Sequence, residues 1–183
     1  MEGVRPTNNV FIATSLDGYI ADAQGGIDWL HEIPNPDQID MGYSDFMAEM
    51  DALVMGRSTY ETVRSFDMAW PYDKPVYVLS TSMREVPEEL TGKVFLVKGD
   101  LTDVLETIHA KGHMRLYVDG GKTIQSFLAE DLIDKMVITK IPILLGEGIS
   151  LFGHLETRLD FRCVHTQIFL NSVVQNTYER EKK

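Results

Sequence analysis

The stretch RLYVDGGKTIQSFLAEDLID, residues 115–134, changes its hydrophobic period halfway along. Its first part, 115–119, is rich in apolar residues and predicts a buried strand. Gly120 and Gly121 follow, and the apolar residues after them have the spacing of one helix face: Ile124, Phe127 and Leu128. The glycine pair between strand and helix is either a tight turn or a cradle for a phosphate.

The same alternation of strand and helix runs through the first 130 residues. Apolar runs predict strands at 10–14, 52–55, 76–79, 94–97 and 115–119, and helical spacing predicts helices at 39–50, from Ser58, at 101–108 and from Lys122. The rest of the chain is β-rich, with strands predicted at 133–141, 161–169 and 173–178, the last two as an antiparallel pair. We therefore expect an α/β fold with a mixed, mainly parallel sheet, helices on both faces and antiparallel C-terminal strands.

Length and composition are those of a soluble globular protein. The 183 residues favour a single domain, 1–183, and 44% hydrophobic with 25% charged residues is an ordinary balance. The N-terminus lacks the features of a signal peptide, and no apolar run reaches the roughly 20 residues of a membrane span. Cys163 is the one cysteine, which excludes an intramolecular disulfide and a cysteine-rich zinc site. We expect a cytoplasmic protein.

The net charge limits the choice of partners. A formal charge of −11 at pH 7 disfavours nucleic acid and anionic membranes. A small anion stays possible, because salt screens distant charges within about 10 Å and a local cluster of donors can then dominate. The five histidines show no metal-ligand spacing, so no metal is expected.

Three strand-to-helix junctions carry residues suited to an anion: 55–59, with a glycine, an arginine and a helix start; 80–82, with three consecutive hydroxyls; and 119–123, with the glycine pair. Ser58 and Glu61 match a capping box at the first junction. Each junction also has a plainer interpretation as a turn, a polar loop or a surface arginine. Neither the G-x-G-x-x-G fingerprint nor the Walker pattern is present.

The segments that carry a family resemblance occur in order along the chain: IATSLDGYIAD (12–22), DWL (28–30), DALVMGRSTYE (51–61), VYVLSTS (76–82), LYVDGGKTIQSFL (116–128) and IPILLGEGISLF (141–152). On these the sequence resembles the dihydrofolate reductase-like superfamily, and specifically the reductase domain at the C-terminus of bifunctional riboflavin-biosynthesis proteins. The M-G-R-x-T-Y-E segment is fairly specific, whereas the glycine pair is not.

The resemblance implies an oxidoreductase that uses NADPH. Arg57 would bind the adenosine 2′-phosphate together with the hydroxyls of residues 80–82, the glycine pair would lie under the pyrophosphate, and Ala13 and Ile20 would edge the nicotinamide. The implied cofactor-binding residues are Ala13, Ile20, Gly56, Arg57, Ser58, Thr59, Ser80, Thr81, Ser82, Asp119, Gly120, Gly121, Lys122, Thr123 and Gly146.

Reduction also needs a proton, usually from a carboxyl group or from a water that it orders. Asp17 is the first candidate for this catalytic role, although an aspartate before a glycine also makes a turn. Asp40 is the second, by its distance from the M-G-R segment, and Asp37 or Asp45 would take its place under a small shift. Trp29 and His31 are candidates for substrate binding, with a packing role as the alternative for Trp29.

The chain lacks the H-x-E and C-x-x-C elements of the zinc deaminase that accompanies this reductase in bifunctional proteins. We therefore expect a stand-alone NADPH-dependent reductase of a pyrimidine- or pterin-like heterocycle, by analogy 5-amino-6-(5-phosphoribosylamino)uracil. The alternatives are a non-catalytic NADPH-binding sensor or assembly module, and a reductase of dihydrofolate or another small molecule, including an NADH-using reductase of small carbonyls. The resemblance also suggests a homodimer.

Overall fold

The computed structural model describes residues 4–182. The strands and helices are β1 (Thr7–Thr14), β2 (Tyr19–Ala21), α1 (Tyr43–Glu49), β3 (Ala52–Gly56), α2 (Arg57–Ser65), β4 (Val76–Leu79), β5 (Val94–Val97), α3 (Leu101–His109), β6 (Arg115–Asp119), α4 (Gly121–Ala129), β7 (Lys135–Lys140), β8 (Ile149–Ser150), β9 (Phe161–Phe169) and β10 (Val173–Arg180). Two short 3-10 helices cover Asp28–His31 and Glu88–Leu90. None of the helices described is long and apolar enough to cross a bilayer.

Eight strands form one sheet, in the order β5-β4-β3-β6-β1-β7-β10-β9. The strands from β5 to β7 pair in parallel, whereas β10 runs antiparallel to both β7 and β9. The expected α/β architecture, mainly parallel with antiparallel C-terminal strands, is therefore confirmed. A separate pair, β2 with β8, lies outside this sheet.

Helices cover both faces of the parallel strands. The apolar residues of α3 and α4 pack on one face, against β1, β3 and β6. On the other face, Phe46 and Met50 from the α1 region and Tyr60 from α2 pack against β3, β4 and Tyr117. This arrangement follows from the βαβ crossovers, which place helices over both sides of a parallel sheet.

The strand and helix predicted at 115–134 are confirmed. Leu116, Tyr117 and Val118 are buried in β6, and the three apolar residues of the predicted helix face are buried in α4. Between them Gly120 has a φ of 93°, a left-handed conformation that glycine adopts at little cost.

Several boundaries differ from the sequence prediction. The first strand begins at Thr7 rather than at 10, because the polar residues Asn8 and Asn9 are buried there and interrupt the apolar pattern. Their side-chain amides donate to the carbonyl oxygens of Leu132 (2.8 Å) and Leu116 (3.3 Å). The first helix begins only at Tyr43, after a loop in which three residues have positive φ: Gln38, Met41 and Gly42.

The capping box predicted at Ser58 is wrong. Helix α2 begins at Arg57, with Gly56 as its N-cap, and no side chain in the described part of the chain caps it with a hydrogen bond. The carboxylate of Glu61 accepts instead from the Arg57 guanidinium, at 2.6 Å. Because an arginine lies one turn before the glutamate, an ion pair has replaced the reciprocal capping bonds.

An ionic latch ties the start of β3 to the start of β6. The Asp51 carboxylate accepts hydrogen bonds from the backbone amides of Met114 (2.9 Å) and Arg115 (2.8 Å) and from the Arg115 guanidinium (2.8 Å). Burial acts to raise the pKa of Asp51, but these donors outweigh it and hold the pKa at about 2. The charged carboxylate therefore stabilises the fold.

We predict that Asp51→Asn lowers the free energy of unfolding by about 1–2 kcal/mol at pH 7, since a charged acceptor is lost and the half-exposed Arg115 screens part of the effect. A depressed carboxyl pKa stabilises the protein above the unfolded value of about 3.9, and this contribution is lost as the pH falls through about 2. Urea unfolding at pH 7 and at pH 2.5 measures the difference, which we expect to shrink at the lower pH. Asp67→Asn, at an exposed aspartate, is the control. Equal unfolding midpoints for the two variants at pH 7 would contradict the latch.

Candidate functional site

The three predicted junctions lie at one edge of the sheet. Gly56 ends β3, Ser80 follows β4 and Asp119 ends β6, and these strands are neighbours that run in parallel. The carboxyl ends of parallel strands are where ligands bind in open α/β sheets. The fold thus brings together residues that are far apart in the sequence.

A cavity of about 340 Å³ lies at the carboxyl ends of β4 and β5. The residues that line it are Arg57, Leu79, Ser80, Thr81, Ser82, Val97, Lys98 and Gly99. The Arg57 guanidinium donates to the Ser82 hydroxyl at 2.8 Å, while its Nε donates to Glu61. A planar guanidinium, hydroxyls and an ammonium group around one cavity are a donor set suited to a phosphate.

Lys98 is a cavity residue that sequence reasoning missed. It directly follows β5, whose carboxyl end lies beside that of β4. The order of the strands in the sheet places Lys98 beside residues 80–82, whereas the sequence alone shows only a charged residue before Gly99. The usable signal was its position, one residue after a predicted parallel strand.

The first turns of α2 and α4 touch. A Cβ added at Gly120 would overlap the Thr59 hydroxyl, and a Cβ added at Gly56 would come within 3.0 Å of the Thr123 hydroxyl. Glycine at these two positions lets the backbones approach closely. Two helix N-termini, each with unpaired amide donors and a partial positive charge, therefore lie side by side and can hold a pyrophosphate.

Two more of the predicted cofactor residues lie at the same place. A Cβ added at Gly121 would come within 2.7 Å of the Ile20 side chain, so this residue of β2 lies over the start of α4. Ala13, near the end of β1, is partly buried and packs with the cluster around Trp29. Lys122 and Ser58 are exposed at the two helix starts.

Asp17 holds a loop in place. Its carboxylate accepts from the Ser15 hydroxyl (2.6 Å) and from the backbone amides of Leu145 (3.2 Å) and Gly146 (2.8 Å). The Ser15 hydroxyl lowers the pKa of Asp17, partial desolvation acts in the opposite direction, and the two amides lower it further. An exposed carboxylate with a lowered pKa is a poor proton donor, and this geometry favours the turn-forming alternative for Asp17. The same hydrogen bonds place Gly146 in the loop that Asp17 holds.

Asp40 has a similar role at the start of α1. Its carboxylate accepts from the backbone amides of Gly42 (3.0 Å) and Ser44 (2.9 Å), and it is exposed. The Ser44 hydroxyl, followed by these amides, lowers the pKa of Asp40. In this geometry Asp40 orders the start of α1. A catalytic role for Asp40 stays a prediction.

Trp29 is a packing residue in this structure. It is buried against Ile141 and Val173, and its indole N–H is buried without a hydrogen-bond partner among residues 4–182. His31, two residues on, is exposed at the end of its 3-10 turn. Trp29 therefore lies in the core, whereas His31 lies at the surface.

Three tyrosines lie around the end of β6. Sequence reasoning also missed this group. Asp119 interacts with Tyr43, Tyr72 and Tyr117, which come from α1, the loop before β4 and β6 itself. Burial raises the pKa of the Asp119 carboxyl to about 6, although the Gly120 amide and the Tyr117 hydroxyl act to lower it. Among residues 4–182, no group of three His, Cys, Asp or Glu side chains is placed to hold a metal ion.

We describe three of the solved structures that this one resembles. A protein from Shewanella sp. PV-4, whose assignment to riboflavin biosynthesis is itself provisional, is 56% identical, with a TM-score of 0.93 over 96% of this chain and 99% of that one. The diaminohydroxyphosphoribosylaminopyrimidine deaminase/5-amino-6-(5-phosphoribosylamino)uracil reductase of Thermotoga maritima has a TM-score of 0.75 at 14% identity, over 96% of this chain and 57% of that one. Dihydrofolate reductase from Enterococcus faecalis, complexed with NADP(H), has a TM-score of 0.63 at 16% identity, over 96% and 97% of the two chains.

At such low identity the last two structures show the fold alone, which is the expected dihydrofolate reductase-like fold. The sequence model of the RibD C-terminal domain matches residues 6–175, nearly the whole chain. The family predicted from the sequence is confirmed: the chain belongs to the RibD C-terminal domain family.

Proposed function

We propose that this protein is an NADPH-dependent reductase of a pyrimidine- or pterin-like heterocycle, with 5-amino-6-(5-phosphoribosylamino)uracil as the reference substrate. The observation that carries the proposal is the cavity lined by Arg57, Lys98 and the hydroxyls of residues 80–82. Its donors suit the 2′-phosphate that distinguishes NADPH from NADH. Membership of the RibD C-terminal domain family supports the same reaction class.

The close approach of α2 to α4 supports a dinucleotide rather than a single phosphate. NADPH has a pyrophosphate between its two nucleosides, and the paired helix starts at Gly56 and Gly120 offer backbone amides to such a group. Ile20, over the start of α4, would then lie toward the nicotinamide. The bound cofactor would supply a hydride, while the protein orients it, excludes water and provides a proton.

The strongly acidic surface does not oppose this proposal. The net charge of −11 is spread over the chain, whereas Arg57 and Lys98 line one cavity. Salt screens the distant charges within about 10 Å. Local donors therefore decide whether the phosphate binds.

A homodimer is also part of the proposal. Strand β9 lies at the edge of the eight-stranded sheet, and residues 162–168 are all exposed along it. An open edge strand is a surface on which a second copy can pair. Light scattering should give twice the chain mass of 20.7 kDa, and a mass of 20.7 kDa at micromolar concentration would contradict the dimer.

We predict that Arg57→Gln weakens NADPH binding about 10- to 100-fold, because a charge-assisted hydrogen bond to the 2′-phosphate is lost. NADH, which lacks that phosphate, should lose less than twofold. Fluorescence titration of each variant with each nucleotide measures both constants. Arg64→Gln is the matched control, since Arg64 is on the same helix but pairs with Glu89 at 3.5 Å. Equal losses of affinity for NADPH and NADH would show that the 2′-phosphate does not bind in this cavity.

We predict that Gly120→Ala weakens NADPH binding more than tenfold, because the new Cβ pushes Thr59 away and separates the two helix starts. Gly112→Ala is the matched control: Gly112 also has positive φ (87°), but a Cβ there meets nothing within 4 Å. Both variants carry the backbone strain of a left-handed alanine, about 1–2 kcal/mol. Binding is compared at a temperature where both are folded. Wild-type affinity in Gly120→Ala would refute the paired cradle.

A further inference from the structure

A second cavity, larger than the one beside Arg57, lies between α2 and the segment that follows β4. Its volume is about 550 Å³, which falls within the roughly 300–1,000 Å³ that is usual for pockets that bind small molecules. Both segments contribute side chains to its wall: Tyr60, Glu61, Arg64, Met83, Glu85 and Val86. We call it the α2 cavity.

The α2 cavity is separate from the cavity proposed for the 2′-phosphate. The two have no lining residue in common, although they are neighbours along the same helix. Arg57 lines the phosphate cavity and Glu61 lines the α2 cavity, so the ion pair of 2.6 Å between these side chains lies at the boundary. The side chains that would recognise a ligand in the α2 cavity are therefore different ones.

The charged side chains of the α2 cavity leave one carboxylate without a partner. Glu61 pairs with Arg57, and Arg64 pairs with Glu89 at 3.5 Å. Glu85 is exposed and makes no ion pair with any residue in the range 4–182. The net charge of −11 for the whole chain acts in the same direction as this carboxylate. The charge of the cavity therefore favours a cation.

The rest of the wall is apolar and aromatic. Met83 and Val86 are partly buried and pack against the core cluster that contains Tyr60. The Arg64 guanidinium lies 6.0 Å from the centre of the Tyr60 ring. Because a flexible methionine side chain adapts to a ring placed against it, this wall suits a planar apolar body.

Tyr60 provides a further contact. The residue is only 2% exposed, and its hydroxyl has no hydrogen-bond partner among residues 4–182. Buried hydroxyls in proteins are nearly always paired with another protein group or with ordered water. Since Tyr60 lines the cavity, an N–H group of a ligand can supply the missing partner.

We propose that the α2 cavity binds a planar organic cation, such as an aromatic amidinium or a protonated amino-heterocycle. The paired N–H groups of an amidinium would donate to the Glu85 carboxylate, in the way that a guanidinium does, and the ring would lie against Met83 and Val86. This site does not depend on the dinucleotide, so the proposal goes beyond the reductase function.

Benzamidinium is the probe, and neutral benzamide, which has nearly the same shape, is its control. Titration of the protein, followed through its backbone amide NMR signals, gives both the dissociation constant and the place of binding. We expect a constant of about 1 mM for benzamidinium, an ordinary affinity for so small a molecule, and about tenfold weaker binding of benzamide. The signals of residues 60–65 and 83–87 should shift most.

Glu85→Gln tests the carboxylate, with Glu88→Gln as the matched control, because Glu88 is exposed nearby in the chain but does not line the cavity. We expect Glu85→Gln to weaken benzamidinium binding about tenfold and to leave benzamide binding unchanged. Glu88→Gln should change neither constant by more than about twofold. Both glutamates are exposed, so both variants should fold as the wild type does.

The outcomes separate this site from the dinucleotide site. Saturating NADPH should leave the benzamidinium constant within about twofold of its value in the free protein. Displacement of the probe by NADPH would overturn the proposal, because the cavity would then be part of the dinucleotide site. Equal binding of benzamide and benzamidinium, a wild-type constant in Glu85→Gln, or no signal shift at about 10 mM benzamidinium would overturn it too. A protein that binds the probe but not NADPH would keep this site and lose the proposed reductase function.

Discussion

The close contact between the starts of α2 and α4 is the constraint on which the rest of the site depends. It requires a residue without a side chain at Gly120, because Thr59 occupies the space that a Cβ would take, and it requires a positive φ at the same residue. With these conditions met, two helix N-termini meet at the carboxyl edge of the sheet. Asp119 is the last residue of β6, directly before this turn.

The side chains at the proposed phosphate site are positively charged, although the net charge of the whole chain is negative. Arg57 is held by Ser82 on one side and by Glu61 on the other, so its guanidinium is oriented before any ligand arrives. Lys98 adds a second positive charge at the same cavity. The Asp17 carboxylate accepts hydrogen bonds from the backbone amides of residues 145 and 146. The carboxyl groups of Asp17, Asp40 and Asp51, whose pKa values are lowered, all accept from backbone amides.

Much of the parallel part of the sheet could be predicted because β4, β5 and β6 are short and rich in apolar residues. β4, β5, β6 and β9 have the predicted limits. The polar start of β1 could not be seen, since Asn8 and Asn9 are buried through hydrogen bonds to segments more than 100 residues away. β2 and β8 are too short, at three and two residues, to show a period.

The site was predictable to the extent that it follows the chain order of strand ends. The glycine pair and Arg57 could be identified from their places after predicted strands, whereas Lys98 needed the order of strands in the sheet. The tyrosines around Asp119 come from three separate segments, and no local pattern connects them. Asp17 is predicted from its place in a motif and Asp40 from its distance to the M-G-R segment. The donors that their carboxylates accept from are visible only in the folded chain.

The most direct measurement is a crystal structure of the protein with NADP⁺ bound. We expect the 2′-phosphate on Arg57 and the hydroxyls of residues 80–82, the pyrophosphate between the starts of α2 and α4, and the nicotinamide beside Ile20. A dinucleotide bound elsewhere on the surface, or bound with its adenosine end away from Arg57, would contradict the account.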